Sequence, residues 1–68
     1  MNLTVNGEGM DFPEGTTAAA LLERLELNPG LVVVELNLNI LKRDELPSAA
    51  LKEGDQVEIV HFVGGGRG

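Results

Sequence analysis

Apolar and polar residues alternate over the first five positions, with Met1, Leu3 and Val5 set against Asn2 and Thr4. That two-residue period marks a strand with one buried face. Asn6-Gly7-Glu8-Gly9 follows, a run suited to a tight turn with positive φ, and then Met10 and Phe12 alternate about Asp11. Together these predict an N-terminal β-hairpin, ended by Pro13-Glu14-Gly15. The period then changes. Ala18, Leu21, Leu22 and Leu25 fall at i, i+3, i+4 and i+7, the apolar stripe of an amphipathic helix. Thr16 or Thr17 sits where a hydroxyl can cap the first free N–H groups. Asn28-Pro29-Gly30 stops the helix, because the residue before a proline avoids the α region. The helix is expected over about 17–26.

Leu31 to Leu36 is valine-rich and predicts a buried central strand. Asn37-Leu38-Asn39 reads as a turn and Ile40-Leu41 as a short return strand. Lys42-Arg43-Asp44-Glu45 reads as a solvated loop, Leu46 as a return to the core, and Pro47 to Leu51 as one short helical turn with proline at its start. After a turn at Lys52-Glu53-Gly54-Asp55, Gln56 to Val63 forms the last strand. The expected division is a folded domain at 1–63 and a glycine-rich tail at 64–68. A single helix on one face of a four- or five-stranded mixed sheet buries both apolar stripes. With the first and last strands parallel in the centre, that α+β arrangement is the β-grasp, or ubiquitin-like, fold.

Composition narrows the function. The chain has 68 residues, no cysteine and two aromatic residues, Phe12 and Phe62. Its thin core therefore rests on aliphatic packing, with no disulfide or zinc ribbon to help. Eleven acidic against five basic residues give a net charge of −6. A phosphate backbone would be repelled, and no Tyr or Trp is present for base stacking, so nucleic acid is not an expected partner. No apolar run is long enough to span a bilayer, and Met1-Asn2-Leu3-Thr4 lacks the basic start of a signal peptide, which predicts a cytoplasmic protein with no membrane partner. One histidine without a thiol supports no metal site, and a globule this small offers little concavity for catalysis. The expected role is presentation to another protein, not catalysis.

The C-terminus carries the sharpest signal. Val57-Glu58-Ile59-Val60-His61-Phe62-Val63 runs directly into Gly64-Gly65-Gly66-Arg67-Gly68. On a β-grasp pattern, with Val32-Val33-Val34-Glu35-Leu36-Asn37 and Leu51-Lys52-Glu53-Gly54-Asp55-Gln56 ahead of it, the whole chain resembles the ThiS family of small sulfur carriers. The resemblance implies that a C-terminal glycine carboxylate is adenylylated by a ThiF-type enzyme using ATP and converted to a thiocarboxylate. A ThiG-type thiazole synthase then takes the sulfur for the thiazole ring of thiamine. It further implies that the chain is a monomer when free and holds no cofactor, ATP being used by the partner. Carriers similar to MoaD, serving molybdopterin or another sulfur metabolite, share the pattern in longer chains. A plain ubiquitin-like binding module is the alternative from another class.

Glycine suits the terminus because, lacking Cβ, it lets the backbone pass closely through a narrow active site. An extended chain spans ~3.3–3.6 Å per residue, so residues 63–68 reach roughly 20 Å. Family members commonly end at a Gly-Gly pair, whereas here Gly65-Gly66 precedes Arg67-Gly68. Gly66 is the expected working terminus after Arg67-Gly68 is trimmed, with Gly68 as the alternative. Along the last strand, Val57, Ile59, His61 and Val63 point one way and Gln56, Glu58, Val60 and Phe62 the other. If the first set faces the helix, Val60 and Phe62, extended by Val33 on the neighbouring strand, form a docking patch just before the tail.

Overall fold

The computed structural model describes residues 1–62; Val63 and the glycine tail lie outside the described residues. Strands β1 (Asn2–Val5) and β2 (Glu8–Asp11) form the N-terminal hairpin. Helix α1 (Ala18–Arg24) follows, then β3 (Val32–Leu36), β4 (Asn39–Leu41) and β5 (Gln56–His61). The five strands are ordered β2-β1-β5-β3-β4. β1 and β5 run parallel in the centre, with Val5 opposite Val57, and every other pairing is antiparallel.

The core is one aliphatic cluster. Leu3, Val5, Val34, Val57 and Ile59 from the sheet meet Ala18, Leu21 and Leu22 from α1, and Leu46, Leu51 and Phe12 close the sides. Burial alternates along the strands as the pleat requires: Val32 and Val34 are buried while Val33 and Glu35 are half-buried, and Val57 and Ile59 are buried while Glu58 and Val60 are exposed. One face of the sheet carries the helix and the other is open.

Local details differ from the sequence reading, beginning with β2, which takes in Glu8 and Gly9 that were expected in the turn. The helix is shorter than 17–26 because Thr17 is its cap, its Oγ1 accepting the Ala20 N–H at 3.2 Å, and because the chain turns left-handed at Glu26, φ 59°. The Leu27 N–H then reaches back to the Leu22 carbonyl and the Glu26 N–H to Glu23, a closed helix end that precedes the proline. Leu31 belongs to a 3₁₀ turn, Pro29–Leu31, capped by the Asn28 side chain, so β3 begins one residue later. The loop at Lys42–Glu45 is instead the start of a 3₁₀ segment, Arg43–Ser48, anchored in the core by Leu46. The Glu45 carboxylate accepts the Lys42 N–H at 2.7 Å and the Ser48 hydroxyl bonds the Glu45 carbonyl, which winds this segment four residues earlier than proline placement suggests.

Candidate functional site

The strand that leads to the tail is the best held in the molecule. β5 pairs with β1 on one side and with all five residues of β3 on the other. Both hairpin turns then bond it with an asparagine. Asn6 donates its backbone N–H to the Val57 carbonyl at 2.8 Å, its Oδ1 accepts the Ile59 N–H at 2.7 Å, and its Nδ2 donates to the Ile59 carbonyl at 3.3 Å. The side-chain amide thus continues the β1–β5 ladder after the main chain has turned away. On the opposite side, Asn37 exchanges bonds with Gln56 through its backbone N–H, at 2.8 Å, and its Oδ1, at 2.9 Å. Its Nδ2 donates to the buried Asp55 carboxylate at 3.0 Å, which also accepts the Lys52 N–H at 2.8 Å. β5 is therefore fixed on both edges as far as Ile59 and on its β3 edge through Phe62.

The expected docking residues come together at the end of β5. Val60 and Phe62 are exposed, at 56% and 47%, and half-buried Val33 lies directly opposite Val60. The Phe62 N–H donates to the Leu31 carbonyl at 3.2 Å, which ties the last described residue to the start of β3. Exposed Leu31 widens this apolar area. His61, across from Val32, is exposed. Gly64, Gly65, Gly66 and Gly68 lie outside the described residues.

The open face holds more than the sequence reading assigned to it. Ile40 is 65% exposed and opposite Glu35, which is itself opposite Glu58, so one row carries an apolar side chain and two carboxylates. Alternation in β4 is the signal that finds Ile40: Leu41 pairs with buried Val34, so its neighbour must face outward. The strands contain Glu8, Asp11, Glu35 and Glu58 but no lysine or arginine. Among the described residues there is no pocket, no group of side chains that could hold a metal ion, and no helix long and apolar enough to cross a membrane. This surface can bind by contact and can steer by charge.

The ThiS family model matches residues 3–66, nearly the whole chain. The chain belongs to the ThiS family. The match runs through Gly66, leaving Arg67-Gly68 beyond it. The sulfur carrier protein ThiS of Bacillus subtilis is 37% identical over 65 residues, which cover 94% of this chain and 98% of that one. A thiazole synthase of Paramagnetospirillum magneticum is 41% identical over 66 residues, 97% of this chain, and one of Magnetococcus marinus is 40% identical over 67. The chain spans about a fifth of the length of these synthases, 20% and 21%. The crystal structure of the thiamine biosynthesis protein ThiS from Geobacter metallireducens superposes with a TM-score of 0.84 at 39% identity, covering 97% of this chain and 100% of that one. The β-grasp expected of a ThiS-family chain is the fold observed.

Proposed function

We propose that this chain is the cytoplasmic carrier that delivers sulfur to the thiazole ring of thiamine, with Gly66 as its working terminus and Gly64-Gly65-Gly66 as the arm that enters its partners. The observation that carries the reading is the ThiS family match, which covers residues 3–66 and so takes in Gly64-Gly65-Gly66. In the first step a carboxylate oxygen attacks the α-phosphorus of ATP on an adenylating enzyme and pyrophosphate leaves. Hydrosulfide then attacks the acyl carbon, AMP leaves, and the terminus becomes a thiocarboxylate. No side chain of the carrier takes part; its task is to hold the tail rigidly at one end and to dock by Val33, Val60 and Phe62. A thiazole synthase as sulfur acceptor is supported by the synthases that contain a stretch similar to this chain.

Intact mass spectrometry tests the proposal. The full chain is incubated with an adenylating enzyme, ATP and a sulfur donor, with and without prior exposure to a host extract that can trim it. The expected product is a chain ending at Gly66 in which one oxygen is replaced by sulfur. A thiocarboxylate on untrimmed Gly68 would move the working terminus there. A carboxylate that never exchanges, with partner binding intact after deletion of 64–68, would leave a binding module in place of a carrier.

A further inference from the structure

The β3–β4 turn carries a residue that its backbone disfavours. Asn37 and Leu38 both have positive φ, 50° and 73°, as a two-residue hairpin turn requires. The chain makes the same kind of turn at Asn6-Gly7, φ 51° and 82°, where glycine occupies the second position. A side chain with a Cβ is strained there, and asparagine relieves the strain better than leucine does. Leu38 is also 87% exposed, the most exposed large apolar residue of the described chain, so its own fold returns nothing for that strain. A residue that costs stability and buries nothing has its use outside the chain.

The dimensions of the open face set how far a docked partner reaches. Five strands spaced ~4.8 Å apart and about five residues long, at ~3.3 Å each, make a face roughly 20 by 17 Å. A specific interface takes about 800 Å² of accessible surface from each partner, so a partner docked on this sheet needs most of the open face. An enzyme seated on Val33, Val60 and Phe62 to receive the tail therefore extends over the Glu35–Glu58 row to Ile40 and the hairpin tip. With only carboxylates among the charged strand residues, the complementary surface is basic.

We propose that Leu38 is a distal docking anchor for the thiazole synthase that accepts the carrier's sulfur. It enters an apolar socket on that enzyme, with Ile40 beside it and with Glu35 and Glu58 facing lysine or arginine side chains at the rim. This rests on the carrier reading, because it assigns the same partner to the far end of the same face.

The test is a titration of the full chain, as its ordinary carboxylate, against the thiazole synthase. Leu38→Gly removes the anchor while meeting the turn's demand for positive φ, so its thermal midpoint is expected to equal or exceed that of the parent. Its Kd for the synthase is expected to rise about tenfold, with Leu38→Met close to the parent. In turnover with thiocarboxylate carrier, KM should rise by the same factor at unchanged kcat. A Leu38→Gly chain that binds as tightly as the parent overturns the anchor, as does a parent chain that does not bind the synthase at all. Because binding needs no sulfur, the mass measurement above judges the carrier reading separately.

Discussion

Asn6, Glu26, Asn37 and Leu38 are the non-glycine residues of the described chain in the left-handed region, and each closes a turn. Glu26 stands where helices usually place glycine, so Glu26→Gly should relieve backbone strain. Part of that gain is offset by the greater freedom of glycine when unfolded, which leaves a net stabilisation of about 0.5–1 kcal/mol, read from chemical denaturation. Asn6 combines a conformational role with hydrogen bonding, and two variants separate them. Asn6→Gly keeps the turn but removes both side-chain bonds to Ile59, at an expected cost of about 1–2 kcal/mol. Asn6→Ala also forces a Cβ residue into φ 51° and should cost more. Hydrogen exchange at the Ile59 amide should quicken in both. The Asn6-Gly7 turn was legible in sequence because the pair is a strong hairpin signal. The true helix end was not: a glutamate at Glu26 hides it, and the bond that closes it, Leu27 to Leu22, depends on geometry and not on composition.

Seven residues make a helix too short to persist alone, so α1 owes its existence to what surrounds it. Leu21 and Leu22 sit in the core, Thr17 caps the first turn, and the Ala18 N–H bonds the Ala49 carbonyl while Leu51 N–H bonds Thr16. These bonds staple the helix start to the segment before β5. Thr17→Ala leaves the Ala20 N–H without its hydroxyl and should cost about 1 kcal/mol, measured as a lowered denaturation midpoint at unchanged slope. The helix was readable because its stripe repeats at the helical period. The 3₁₀ segment from Arg43 was not, since its charged residues look like a solvated loop until Glu45 is seen to bond the Lys42 N–H and Leu46 to anchor the core. Local side-chain bonds of this kind compete with loop conformations without leaving a periodic pattern.

The buried stripe followed from periodicity, and so did the outward placement of Val60 and Phe62, since alternation decides which side of a strand is exposed. Register did not, and register is what sets Glu35 directly opposite Glu58. Like charges facing each other across two strands oppose folding by a few tenths of a kcal/mol. Neutralising one, Glu35→Gln, should therefore leave the isolated chain as stable or slightly more stable. The same change removes negative potential from the proposed docking face, where charge acts chiefly on encounter. Stopped-flow association with the thiazole synthase should show a lower on-rate for Glu35→Gln and a smaller dependence of that rate on salt, with the off-rate little changed. The double variant with Glu58→Gln should deepen both effects. An on-rate that ignores both the substitutions and the ionic strength would mean that the acidic face serves solubility alone, and that recognition is confined to the apolar ends of the sheet.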